Sequence, residues 1–185
     1  MTATTPTIYY VIGAIVIIVA IIAAIAIARR SQSVRLQRRF GPEYARVARE
    51  RGNRADAERE LARREERVKR FQIQELPPGA RDRYAEEWRG VQARFVDEPG
   101  AALAQADGLI ASVMRDRGYP PADFDQRTAD LSADHARTLE DYRIAHEISL
   151  RSERGEADTE DLRQAMVHYR KLFDDLVGTS ERTRA

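Results

Sequence analysis

Hydrophobic and polar positions along this chain follow two different patterns. From Ile8 to Ala28, 21 residues pass without a charged side chain, most of them Ile, Val or Ala. At a 1.5 Å rise per residue such a run makes a helix about 31 Å long, enough to cross the hydrocarbon core of a bilayer. Beyond Arg29 the pattern becomes narrow apolar stripes set in dense charge, the spacing of helices that each cover one face. The predicted fold class is all-α: a single N-terminal transmembrane helix, charged stalk helices, then a small antiparallel α-helical bundle.

Punctuation divides the charged part. Gly41-Pro42 ends the helix that leaves the apolar run, because proline disfavours helical geometry in the residue before it, and a short helix starts at Pro42. Gly52-Asn53 is the next break. From Arg54 to Phe71 the apolar positions are Ala57, Leu61, Val68 and Phe71, with Glu60/Arg64 and Glu66/Arg70 spaced as i, i+4 pairs. Too few heptads are present for a coiled coil, so this helix is expected to pack on the chain's own bundle.

Pro77-Pro78-Gly79 separates that stalk from the strongest periodicity. Tyr84, Trp88, Val91 and Phe95 share one helix face. Asp97 and Pro99 are expected to open a helix through Arg117 with the stripe Leu103, Ala106, Leu109, Ile110, Val113 and Met114. A short turn around Phe124 leads to Ser132, read as the cap of a long helix to about Arg154 carrying Leu139, Tyr142, Ala145 and Ile148. Asp158 or Thr159 caps the last helix, whose face is Leu162, Ala165, Met166, Tyr169, Leu172, Phe173 and Leu176, stopped by Gly178. The domain plan is therefore a short extracytoplasmic tail at 1–7, a transmembrane helix at 8–28, basic juxtamembrane and stalk helices at 29–76, a helical bundle at 77–178 and a disordered tail at 179–185.

Charge gives the apolar helix a direction. Met1 to Thr7 holds no Lys or Arg, whereas Arg29, Arg30, Arg35, Arg38 and Arg39 follow the apolar run before any acid. The positive-inside rule then places the N-terminus outside and the C-terminal domain in the cytoplasm, with these five arginines at the membrane surface and Tyr9 and Tyr10 at the outer headgroup layer. Ala26-Ile27-Ala28 resembles a signal-peptide cleavage pattern, but the apolar run is longer than a signal core and no basic segment precedes it. Ala20, Ala24 and Ala28 share one helix face and would allow close approach of a second copy, a homodimer contact. The total of 31 basic and 30 acidic residues hides a split: residues 29–76 are net +7 and residues 77–185 net −6.

Candidate chemistry is sparse. The chain has no cysteine, which excludes disulfides, thiolate zinc sites, iron–sulfur clusters and a cysteine nucleophile. His135, His146 and His168, with Asp134, Glu147 or Asp161, are the only material for a metal site. They lack the i, i+3 or i, i+4 spacing that such sites use, and His135 and His146 stand about 16 Å apart along one helix. No phosphate loop, nucleophile elbow or dinucleotide fingerprint occurs. An acidic bundle repels phosphate, so nucleic acid is not expected as a partner.

The stretches RYAEEWRGVQARFVDEPGAALAQADGLIASVMRDRGYP, DFDQRTADLSADHARTLEDYRIAH and EADTEDLRQAMVHYRKLFDDL resemble an uncharacterised bacterial family of helical proteins with an N-terminal hydrophobic segment. That resemblance implies a bacterial cell-membrane protein and supplies no activity, cofactor or site residue. The expected function is a single-pass, membrane-anchored, non-enzymatic module that contacts the lipid bilayer and an unknown protein partner. The alternatives are an extracytoplasmic envelope-associated domain and a weak metal-binding or enzymatic module using the histidines.

Overall fold

The computed structural model describes the backbone over residues 4–178 and side chains from residue 15 onward. Among the described residues the chain forms eight helices and no strand. It divides into two compact units, Met1–Arg38 and Arg39–Ala185. Helix α1 (Thr4–Phe40) accounts for the described part of the first. The expected disordered tail at 179–185, residues 1–3 of the expected extracytoplasmic tail and the side chains of Tyr9 and Tyr10 lie outside the described residues.

The second unit contains α2 (Pro42–Arg51), α3 (Arg54–Val68), α4 (Ala80–Asp97), α5 (Pro99–Asp116), α6 (Phe124–Leu131), α7 (Leu139–Glu153) and α8 (Thr159–Val177). Its centre is the group α4, α5, α8 and α7, in which α5 packs against all three others. The apolar stripes meet there: Trp88 of α4 stacks on Phe173 of α8 with ring centroids 4.6 Å apart, and Tyr142 of α7 meets Tyr169 of α8 edge-on. Leu103, Ala106, Ile110 and Val113 of α5 are buried between them. The predicted periodicity is thus realised, since every named apolar position of α5, α7 and α8 is buried.

Helices α2 and α3 form a hairpin that joins this bundle through α3 against α6. Residues 39–76, assigned from the sequence to the stalk, with the helix from Arg54 expected to pack on the bundle, belong to the same compact unit as the bundle. The stripe Ala57, Leu61 and Val68 is fully covered, and Phe71 packs against the bundle core. A narrow apolar seam with heavy charge on both flanks is sufficient once another helix supplies the facing surface.

Three local expectations change. Asp97 is the last residue of α4, and Glu98 both ends α4 and precedes Pro99: its amide donates to the Arg94 carbonyl at 2.9 Å and its carbonyl accepts from Ala102 at 3.0 Å. Ser132 does not start a long helix; it closes α6, its hydroxyl donating to the Ala129 carbonyl at 2.6 Å. Turns fill the interval to α7, where the His135 ring and Thr138 hydroxyl are both held by Asp175 of α8. Glu66 pairs with Lys69 rather than Arg70, because α3 stops at Val68 and the i, i+4 register is lost. The cap on α8 is Asp158, which forms a reciprocal capping box with Asp161.

The connection after α3 is tied to the far end of α5. The Gln74 amide donates to the Arg117 carbonyl at 2.9 Å, and the Arg117 guanidinium donates to the Leu176 carbonyl at 2.9 Å. Gly118 makes this approach possible. Its φ is +94°, and a Cβ there would stand 2.3 Å from the Gln72 carbonyl oxygen. Gly118→Ala is expected to destabilise the protein by about 2 kcal/mol, read as a lowered midpoint in urea unfolding followed by circular dichroism.

Candidate functional site

The first unit presents an apolar helix. Its large side chains from Ile15 to Ile27 are all exposed, Val16 at 61% and Ile27 at 70%. The 26-residue stretch Ile15–Phe40 contains a window of mean hydropathy 2.0, none of it buried, so by length and composition it is able to cross a membrane. A signal sequence satisfies the same criterion. Ala20, Ala24 and Ala28 are exposed on this helix, as are Arg29, Arg30, Arg35 and Arg38.

Arg39, the fifth arginine assigned to the membrane surface, stands apart from the other four. Within the second unit its Nε donates to the Ala133 carbonyl at 3.1 Å, Nη1 to Glu65 at 3.2 Å and Nη2 to Asp134 at 2.9 Å. Its guanidinium is thus engaged by the folded unit, whereas Arg29, Arg30, Arg35 and Arg38 are exposed on α1.

The most concentrated polar arrangement in the second unit is built on Glu43. Pro42 at the first helical position of α2 starts the helix, which leaves Glu43 in the first turn on the same buried side as Tyr44 and Val47. Its side chain is only 2% exposed, yet five N–H groups converge on it. Arg143 of α7 forms a two-pronged contact at 2.8 and 3.0 Å. Arg46, one turn along α2, forms another at 2.8 and 2.6 Å, and Arg64 of α3 adds a donor at 2.9 Å. One carboxylate therefore joins α2, α3 and α7. Burial pushes the Glu43 carboxyl up, but the hydrogen bonds and charges of Arg46 and Arg143 outweigh it and hold it below the usual carboxylate range.

Two other buried acids repeat this design. Asp130 of α6 accepts from Arg67 of α3 and from Gln126, both at 2.8 Å. Glu65 of α3 faces Arg39 and Lys69. Glu65 was legible as an acid in register with Ala57, Leu61 and Val68 on the covered face of α3; Glu43 and Asp130 carried no comparable signal. Their partners lie up to 100 residues away in the chain.

An open cleft of about 920 Å³ lies beside the Glu43 cluster, lined by Arg46 and Arg64, by Arg143, His146 and Leu150 of α7, and by Phe124. His146 stacks flat on Phe124 at 3.6 Å between centroids, and burial lowers its pKa. His135 pairs with Asp175 at 2.8 Å, and His168 with Asp141 at 2.5 Å, where Lys171 also binds. The structure does not bring the three histidines to one point. The proposed oxygen donors are also dispersed: Asp134 binds Arg39, Asp161 binds Arg151 and caps α8, and Glu147 lines the cleft. Among the described residues no three His, Asp or Glu side chains converge as a metal cage. The arginines beside the cleft are already engaged by carboxylates, so the cluster acts as a clamp between helices.

Comparison with protein-family models, with curated proteins and with solved structures found no match to this chain.

Removing the charge of Glu43 leaves several guanidiniums crowded without their shared anion. Glu43→Gln is expected to cost about 3 kcal/mol in urea unfolding at neutral pH. Because its folded-state pKa is depressed, Glu43 contributes stability above the ordinary carboxyl value of 4.5 that is lost as pH falls through the lower folded value. The acid-unfolding curve of the Glu43→Gln variant should accordingly be shallower than that of the parent below that pH.

Proposed function

We propose that this protein is a single-pass membrane protein of a bacterial cell, anchored by the apolar part of α1, with its helical unit in the cytoplasm as an interaction or structural module. The observation that carries the reading is the exposed row of isoleucines and valines on α1. Water disfavours that much contiguous apolar surface, and a lipid environment removes the penalty. The arginines at 29, 30, 35 and 38 support the orientation, since they follow the apolar run and no basic residue precedes it. Each adds about 1 kcal/mol of attraction when close to an anionic leaflet.

A binding or structural role, and no catalysis, is the reading favoured for the second unit. Its ionised groups are spent on pairing helices: Glu43, Glu65 and Asp130 each sit inside a set of basic or amide donors from neighbouring elements. Such clusters specify how helices meet.

Anchoring and orientation are separable in experiment. After expression in a bacterial host, the chain is expected to stay in the membrane pellet through an alkaline carbonate wash with its first residues intact by mass spectrometry. A mature form starting beyond Ala28 would replace the anchor with a cleaved leader. A fluorescent reporter fused after Ala185 should be active and an export-dependent phosphatase inactive; the opposite pair of results would place the unit outside the cytoplasm.

A further inference from the structure

We propose that the outer face of the α2–α3 hairpin is a docking surface for an anionic phospholipid leaflet. The surface is created by folding. Residues 42–70 hold ten basic and seven acidic side chains, an unremarkable excess in sequence. The fold sorts them. Eight of the ten cations are exposed: Arg49, Arg51, Arg54, Arg59, Arg63, Arg67, Lys69 and Arg70, whereas only Glu50 and Glu66 among the seven acids are exposed. Glu43 and Glu65 are buried, and the side chains of Glu58 and Glu60 are about a fifth exposed.

The sorting has a geometric cause. On α3, Arg59, Arg63 and Arg67 follow at intervals of four and form one stripe, opposite the covered stripe of Ala57, Leu61, Glu65 and Val68, and Arg70 is exposed in the turn just beyond the helix. The side chains of Arg59 and Arg63 are 75% and 73% exposed. Arg49 and Arg70 make no ion pair among the described residues. Four of the seven acids, Glu43, Glu58, Glu60 and Glu65, thus lie towards the inner side of the hairpin, while eight of its ten cations meet the solvent. Residues 71–185 are net −7, so the hairpin is the positive part of a polarised body.

Lipid is favoured as the partner by the chain's own connectivity, and this assignment rests on the membrane reading above. Only Gly41 separates α1 from α2, and Pro42 follows Ala28 by 14 residues. That tether spans about 21 Å if helical, so an anchored chain keeps the hairpin at high effective concentration beside headgroups at all times. A stripe of arginines on an amphipathic helix next to a membrane segment suits a diffuse anionic surface, which asks for charge without base or side-chain register.

Because the chain contains no cysteine, Ala55→Cys on the exposed start of α3 takes a single fluorophore in the full-length protein. The labelled protein is reconstituted into vesicles of phosphatidylcholine, or of phosphatidylcholine mixed with phosphatidylglycerol, and quenched with neutral acrylamide. Quenching is expected to fall roughly twofold on the anionic mixture and to recover in molar salt. The triple variant Arg59→Gln, Arg63→Gln, Arg70→Gln should lose the effect, while the charge-matched Arg89→Gln, Arg94→Gln, Arg163→Gln on the bundle should keep it. The six arginines themselves are exposed, so helicity by circular dichroism is expected to hold. Equal quenching on both vesicles, or equal loss in both triple variants, overturns the proposal. So does protection produced by duplex DNA on phosphatidylcholine vesicles but not by phosphatidylglycerol. An alkaline wash of the phosphatidylcholine vesicles tests the anchor independently: a chain that washes off defeats the membrane reading, and the anionic vesicles still report on the hairpin.

Discussion

The Glu43 carboxylate and the arginines around it are the constraint on which the second unit's arrangement depends. A carboxylate withdrawn from water needs nearly all of its acceptor capacity met, and a single neighbouring cation does not do that. Here donors from α2, α3 and α7 are all required. Helix α2 can occupy its place only with α3 folded beside it and α7 behind it. The contact therefore sets the position of the hairpin on the bundle more narrowly than the slender apolar seam of α3 is able to do.

This constraint also decides the electrostatics of the surface. Each acid drawn inward to satisfy a neighbour leaves the outward side of the hairpin with its arginines. The same exchange occurs at Asp130, which holds Arg67 by one edge while that arginine stays half in solvent. Counted by the compact unit, four of the 31 basic residues precede Arg39, which leaves 27 against 30 acids and a net charge of −3. Neither that total nor the two-part division at residue 76 describes the field that a partner would meet. The relevant quantity is which sign lies outside on each helix pair, and burial controls it.

The central helices show a different balance. In α5 and α8 the apolar face is wide, and the residues named from periodicity alone are the ones that fill the core. Polar groups there act at the margins: Tyr142 donates to Asp107 at 2.8 Å, and Arg127 pairs with the same carboxylate. These contacts connect the short helix α6 to α5 and α7, which its eight residues could not secure by apolar burial alone. His135 and His168 serve comparably at the α7–α8 boundary, each joined to an aspartate on another element.

The sequence by itself determined the apolar helix, the all-helical class, the glycine and proline boundaries, and the core faces of α4, α5, α7 and α8. All of these follow from local rules: a run of residues without charge, a repeat near 3.6, or a residue with restricted backbone geometry. It misplaced the start of α7, where Asp175 of α8 holds the preceding turns, and the Glu98 junction, where α4 runs on through Asp97. Only the tertiary structure decided that α2 joins the same unit as the bundle, that Arg39 belongs to the folded unit, and that Glu43 is a shared internal anion. The physical reason is range. An ion pair between residues 43 and 143 leaves no periodic trace in either helix, and it exists only after the chain has brought the two ends together.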